Sequence, residues 1–529
     1  MTSSLKNLNS FKPSPESTCQ IRKNYGFNMR TSFLYCSLLL IFLFSTIKSQ
    51  VYKIIDTGQD ICYDTLVVIS CPQPGDQFYG QDSQFDGIQF SFQDNNDGTV
   101  TDLNTGLIWQ QLLFEDKFTH ADAVAAADTF SLNGYNDWRL PNIKELYSLI
   151  DFRGVTGLNV NESSPFIDTT YFEFRYGNIS AGERFIDAQY VSSTKYVGTT
   201  MNGDSTVFGV NFADGRIKGY GLTMPGGQEK LFEVRFVRGN INYGINDFVD
   251  NSDGTISDNS TGLMWSKSDN GIGANWEEAL DWVYQKNQEN YIGYSDWRLP
   301  NAKELQSIVD YSRSPQTTNS AAIDPVFEVT PIIDEGGETN YPFYWTNTTH
   351  ADGAPDHQFI KAVYVAFGEA LGFMEIPPYS GNYVLMDVHG AGAQRSDPKQ
   401  GDPNNYPHGF GPQGDVIRIY NFVRLVRSGL VSDVNESKTS LPDQYELKQN
   451  YPNPFNPTTT ISFSIPVQGS VSLEIFNLIG QQVDELVNEN LSAGNYTFKW
   501  NAKDQASGIY FYKLQTGSFA ETKKMILLK

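Results

Sequence analysis

The densest set of residues able to do chemistry lies on a Gly- and Pro-rich stretch, Asp387-Val-His-Gly-Ala-Gly-Ala-Gln-Arg-Ser-Asp-Pro-Lys399 through Gly414-Asp415. It carries His389, Arg395, Asp397, Asp402, His408 and Asp415. Imidazole, guanidinium and carboxylate groups on a long loop suit recognition of a polar ligand, because loops held by a rigid scaffold are where binding residues concentrate. A solvated loop without a ligand is the plain alternative. Two carboxylate-rich turns, Asp94, Asp97, Asp102 and Asp250, Asp253, Asp258, could hold Ca²⁺ through oxygen ligands. The order of an EF-hand is absent, since the positions five, three and one before the glycine are Gln93, Asn95, Asp97 and Val249, Asn251, Asp253. Hairpin turns with Asx caps account for the same residues.

Trp138-Arg139 and Trp297-Arg298 could stack on a sugar ring and bond its hydroxyls. The competing reading makes each Trp a core anchor and lets each Arg pair a buried acid such as Asp137 or Asp296. The five histidines, His120, His350, His357, His389 and His408, accompany no Ser elbow, no His-Glu-x-x-His and no phosphate loop. The expectation is therefore a protein that is not an enzyme. Paired carboxylates for glycoside cleavage stay open, because sequence does not give their separation.

The elements that must position these groups are bounded first by size and charge. A chain of 529 residues exceeds one ordinary domain, and three folded units are expected. With 14% aromatic residues, 45 Gly, 24 Pro and 19% charged residues, loop-rich β or α+β domains fit better than helical bundles. A net charge of −23 repels phosphate and sulfate, and no Lys/Arg run offsets it, so nucleic acid is excluded as a partner.

The apolar run from Phe33 to Ile47 follows Arg30 and ends in small and polar residues up to Gln50, the layout of a signal peptide. It is too short to span a bilayer, so no transmembrane helix is expected in the mature protein. Met29 directly before Arg30 suggests that translation starts there. Cleavage near Ser49 leaves Cys62 and Cys71, which read as one local disulfide in an oxidising compartment. A metal site at these two cysteines would lack nearby His partners.

An internal repeat organises the rest. Phe92-Gln-Asp-Asn-Asn-Asp-Gly-Thr-Val-Thr-Asp102, leading to Thr105-Gly-Leu-Ile-Trp109, recurs as Phe248-Val-Asp-Asn-Ser-Asp-Gly-Thr-Ile-Ser-Asp258, leading to Thr261-Gly-Leu-Met-Trp265. Gly134-Tyr-Asn-Asp-Trp-Arg-Leu-Pro-Asn-Ile-Lys-Glu-Leu146 recurs as Gly293-Tyr-Ser-Asp-Trp-Arg-Leu-Pro-Asn-Ala-Lys-Glu-Leu305. The copies close with Arg235-Phe-Val-Arg238 and Arg424-Leu-Val-Arg427, and the second holds an insertion of about 30 residues. Asp97-Gly98 and Asp253-Gly254 predict hairpins. Thr119 to Phe130 and Asn275 to Tyr284 predict amphipathic helices, and Asn142 with Glu145 and Asn301 with Glu304 predict capping boxes of a second helix. Period-two stretches at Tyr190 to Thr194, Val207 to Phe212, Tyr344 to Thr348 and Ala362 to Phe367 predict strands. After a polar linker, five further strands between Thr459 and Leu528 predict a small all-β sandwich.

Asn450-Tyr-Pro-Asn-Pro-Phe-Asn-Pro457, Ser507-Gly-Ile-Tyr-Phe-Tyr-Lys513 and the terminal Lys523-Lys-Met-Ile-Leu-Leu-Lys529 resemble the type IX secretion sorting domain. That resemblance implies a type IX translocon as partner and a secreted or outer-surface location. The repeat motifs, with Trp109, Trp138, Arg139 and their counterparts Trp265, Trp297, Arg298, resemble the Lcl C-terminal domain family. The resemblance implies an α+β fold of two C-type-lectin-like repeats and a role in adhesion or binding of carbohydrate or a surface protein. A structural envelope component is the second reading and a polysaccharide hydrolase the third. The expected layout is a leader over 1–49, a disulfide-bearing segment over 50–91, repeats over 92–240 and 247–428, a linker over 429–442 and the sorting domain over 443–529.

Overall fold

The computed structural model describes residues 52–429 apart from 202 and 225, and residues 445–528 apart from 451, 452, 468, 492, 493, 504 and 518. The expected leader, and the expected linker beyond Gly429, lie outside the described residues.

Each repeat opens as an antiparallel hairpin that grows into a four-stranded sheet. Phe92–Asp94 pairs with Thr99–Asp102, which pairs with Leu107–Gln110, and the closing strand Val237–Gly239 adds at the far edge. Phe248–Asp250, Thr255–Asp258, Leu263–Ser266 and Val426–Ser428 repeat the order. Alternation turns Val100 and Trp109, and Ile256 and Trp265, fully inward. The first helices, His120–Thr129 and Trp276–Gln288, start at Thr119 and Asn275, whose side chains accept from the N–H groups of Asp122 and Glu278. The second helices, Ile143–Tyr147 and Ala302–Ser307, start in the expected capping boxes.

A six-stranded antiparallel sheet joins the repeats. Its order is Phe343–His350, Lys361–Ala366 and Gln394–Pro398 from the second copy, then Arg216–Gly221, Asp204–Asn211 and Gln189–Thr200 from the first. The seam pairs Gln394 with Ile217. Here Gly219 donates its N–H to His389 O at 2.9 Å, and a Cβ on Gly219 would meet that oxygen at 2.3 Å. Equivalent strands thus meet edge to edge across a pseudo-two-fold axis, as in a symmetric dimer. One core draws on both copies, with Trp109, Phe208 and Phe212 beside Trp265, Val363 and Val365.

Residues 52–91 hold the disulfide, Cys62 to Cys71, between the short paired strands Cys62–Tyr63 and Val68–Ile69. This segment packs on the second repeat, where Phe78 stacks on Trp276. The C-terminal unit has one three-stranded and one four-stranded sheet around Ile461, Phe463, Leu473, Ile475, Tyr512 and Met525. It includes a long strand, Gln482–Leu491, that the sequence reading lacks.

The expected α+β fold with C-type-lectin-like repeats is corrected by the structure. Strand accounts for 37% and helix for 12%, in five short helices among the described residues, so the chain is mostly β with several small sheets. The helical segments exist but are brief, and they pack on sheets that carry most of the core. Sequence periodicity overweights such helices because their caps are explicit, whereas strands such as Arg216–Gly221 and Gln394–Pro398 are buried at all but one position each and show no alternation.

Candidate functional site

The insertion of the second repeat builds a cleft of about 450 Å³. Its walls come from the hairpin Leu371–Glu375 with Tyr383–Asp387, the turn after Asp402 and the segment 416–422. Phe373, Tyr406, Tyr420 and Phe422 supply aromatic surface, while Glu335, Asn404, Arg418 and Asn421 supply polar groups. Arg418 lies over the Phe343 ring at 3.9 Å and pairs bidentately with Glu335 at 2.9 and 3.0 Å. Among the described residues, its Nη1 and the Oδ1 of Asn421 have no hydrogen-bond partner. A cleft with aromatic side chains and unmet donor and acceptor capacity suits a ligand that is polar at its edges and apolar on its faces.

None of the six loop residues singled out in the sequence lines this cleft, yet two of them hold groups that do. Asp397 Oδ2 accepts from the N–H groups of Arg418 and Ile419 and from Asn421 Nδ2, each at 3.1 Å. Those bonds hold Ile419 at φ 64°, a conformation that a β-branched residue keeps only when its surroundings impose it. Burial pushes the Asp397 carboxyl up to about 6, against the hydrogen bonds it accepts. Asp402 accepts from Asn404 N and Nδ2 at 2.9 and 2.8 Å, which orients Asn404 in the cleft. His408 stacks on Tyr383 at 3.9 Å, behind the hairpin.

His389, Arg395 and Asp415 come together elsewhere. His389 Nε2 bonds Asp415 Oδ1 at 2.9 Å and Arg395 pairs with Asp415 Oδ2. Burial, with the nearby Arg395 charge, keeps His389 well below its ordinary value and therefore neutral. The trio belongs to a buried polar strip on the central sheet. Arg216 and Lys361 bond Asp352 at 2.6 and 2.5 Å, and Lys218 bonds Asp214 at 2.5 Å. Burial lowers Lys218 to about 8 and Arg395 to about 10. These groups join the two repeats rather than face a cavity.

The carboxylate turns are self-contained. Asp97 Oδ1 accepts from Thr99 N and Oγ1 at 3.0 and 2.6 Å, and Asp253 does the same for Thr255 at 2.9 and 2.6 Å. Asp94 and Asp250 accept from Asn96 and Ser252, and Asp102 and Asp258 from Asn104 and Ser260. Among the described residues no three His, Cys, Asp or Glu groups come together as a metal site. The Ca²⁺ reading thus has no cluster to rest on.

The Asp-Trp-Arg motif is a clasp, and one expected pairing is corrected. Arg139 and Arg298 pair with Glu145 and Glu304 of the next helix rather than with Asp137 or Asp296. Asp137 and Asp296 instead bond Arg238 and Arg427 of the closing strands at 2.7 and 2.6 Å. Those arginines lie over Tyr135 and Tyr294 at 3.7 and 4.1 Å. Trp138 and Trp297 are buried, at 4% and 2% exposure, so they serve the core and not a ligand. Arg418, Glu335, Tyr406 and Tyr420 escaped sequence reasoning because 83 residues separate the ion pair. Only the Arg418-Ile-Tyr420 run at the end of the insertion marked the spot.

Comparison with known proteins matches the Lcl C-terminal domain to residues 98–238 and 254–385, and the secretion system C-terminal sorting domain to 449–528. Curated proteins give no match. Among solved structures, PorZ, an essential bacterial surface component of the type-IX secretion system of Porphyromonas gingivalis, aligns at 11% identity and a TM-score of 0.13. That alignment covers 84% of this chain and 60% of PorZ, and at such a score it carries no argument about fold. The sorting domain assigns the protein to type IX secretion, at the cell surface or outside. Among the described residues no helix is long and apolar enough to cross a membrane.

Proposed function

The chain belongs to the Lcl C-terminal domain family, and from that premise we propose that its fused repeats form a non-catalytic carbohydrate-binding module with the cleft at Arg418 as its site. The supporting observation is the pairing of aromatic walls with Arg418 Nη1 and Asn421 Oδ1, two buried atoms that lack partners among the described residues. Sugar rings offer apolar faces to such walls and hydroxyls to such groups. Glu335 neutralises Arg418 locally, and the chain carries −23 overall, so the ligand is a neutral glycan and not a sulfated one.

A non-catalytic role is favoured by the burial of the Ser–His side-chain contact found among the described residues. Ser396 Oγ lies 2.8 Å from His350 Nδ1, but His350 is 0% and Ser396 8% exposed, which shuts substrate out. The leader within residues 1–49, starting at Met29, serves export toward the type IX machinery.

The test is a glycan array probed with the mature protein, with and without Ca²⁺. Binding to a neutral glycan that falls about tenfold in Arg418→Ala and Tyr420→Ala is the expected result, the loss of one hydrogen bond or stacked ring. A blank array, or binding indifferent to both substitutions, overturns the assignment.

A further inference from the structure

Thr194 and Lys144 of the first repeat and Tyr311 of the second border another pocket, of about 380 Å³. Its counterpart across the pseudo-two-fold axis is filled by the chain itself. There Phe152 N donates to Thr57 O at 2.8 Å. The Gln59 amide brackets a peptide group, Oε1 accepting from Thr349 N at 3.0 Å and Nε2 donating to Thr349 O at 2.6 Å. Thr348 Oγ1 donates to Asp82 Oδ2 at 2.5 Å.

The turn that offers these groups is repeated in the second copy. Asp310 N donates to Ala322 O at 3.0 Å as Asp151 N does to Phe166 O at 3.0 Å. Ser312 N donates to Asp310 Oδ1 as Arg153 N does to Asp151 Oδ1, both at 3.0 Å. Arg313 N donates to Asp310 O as Gly154 N does to Asp151 O. One bond is missing: the N–H of Tyr311, counterpart of Phe152, meets no acceptor among the described residues. Thr194 accepts from Ile143 N at 3.0 Å as Thr348 accepts from Ala302 N at 3.0 Å, but no carboxylate stands where Asp82 does. The pocket mouth carries two exposed side chains, Ile241 and Ile245, at 74% and 58% exposure. Asp151 is clasped by Arg153, whereas Asp310 has Ser312 in that place and no guanidinium.

We propose that this pocket receives an extended peptide segment of another protein, held as residues 57–59 and Asp82 are held in the related pocket. A backbone carbonyl takes the Tyr311 N–H, a carboxamide or carboxylate takes the Thr194 hydroxyl, apolar side chains cover Ile241 and Ile245, and a Lys or Arg answers Asp310. Main-chain bonding with side-chain selection is a general mode of peptide capture. The chain's own segment 57–59 is spent in the related pocket.

The probe is a synthetic peptide with the sequence of residues 54–84, oxidised at Cys62 and Cys71 so that it includes Asp82, blocked at both ends and titrated calorimetrically into the mature protein. Saturation at one site per chain is expected, tightened in Ser312→Arg, which supplies the missing guanidinium at an exposed position, and weakened about tenfold in Thr194→Val. Melting temperatures of both variants report their folding. Absence of saturable binding even to Ser312→Arg overturns the proposal, as does binding unaffected by Thr194→Val. Dimerisation of the protein that the peptide abolishes also overturns it, by putting a second copy in the pocket.

Discussion

Lys144 of the first repeat donates its ammonium to the carbonyl oxygen of Ser307 in the second at 2.6 Å, and its equivalent Lys303 returns the bond to Ser148 at 3.0 Å. Reciprocal contacts of this kind make the duplicated chain a covalently tethered pseudo-dimer. Lys303 is buried and Lys144 half-buried, and removal from water lowers Lys144 to about 8 and Lys303 to about 7. Between those values and the ordinary lysine range the unfolded chain binds more protons than the folded one, so these groups raise stability as pH climbs from about 7 toward 10.5. Denaturant titrations should show that rise in the wild type and a flatter one in Lys303→Met. Equal slopes would contradict it.

Gly219 sets the seam in a second way. The Cβ of Gly219→Ala would collide with His389 O, and the backbone on either side cannot give, so a loss of about 1 to 3 kcal/mol is expected. Both repeats should melt together in the variant, because the sheet and core are shared. Two separate transitions in calorimetry would show that the copies fold independently.

Chelation should leave the protein unchanged. The carboxylates of Asp97 and Asp253 already accept two hydrogen bonds each from their own turns. EDTA is expected to shift the melting temperature by nothing measurable, while Asp97→Ala costs about 1 kcal/mol through the unsatisfied Thr99 N–H. A Ca²⁺-dependent melt would refute this.

Reduction of Cys62–Cys71, a link across 9 residues, should lower stability by about 2 to 3 kcal/mol in the chain-entropy view. The loss should appear in the tandem, since this segment packs against Trp276 and Thr349 of the second repeat. Identical melts with and without reductant would mean that the loop is held by its other contacts.

Truncation at Glu436 should leave the melting of the tandem unaltered, because the core around Ile461 and Tyr512 shares no residue with the core around Trp109 and Trp265. A large drop would tie the sorting domain to the repeats.

The sequence by itself determined the duplication, the helix caps, the hairpin turns, the disulfide and the sorting tail. Each of these rests on residues close together in the chain, such as Asn142 with Glu145 or Asp97 with Thr99, whose chemistry is local. Only the tertiary structure decided that the fold is mostly β, that Arg139 binds Glu145 while Asp137 binds Arg238, and that the cleft joins Glu335 to Arg418. It also decided that two repeats share one sheet through Gln394 and Ile217. The reason is that pairing of strands and burial of charges are set by the packed fold and not by spacing along the chain, as with the 83 residues between Glu335 and Arg418, and a strand buried on both faces carries no period that names its neighbour.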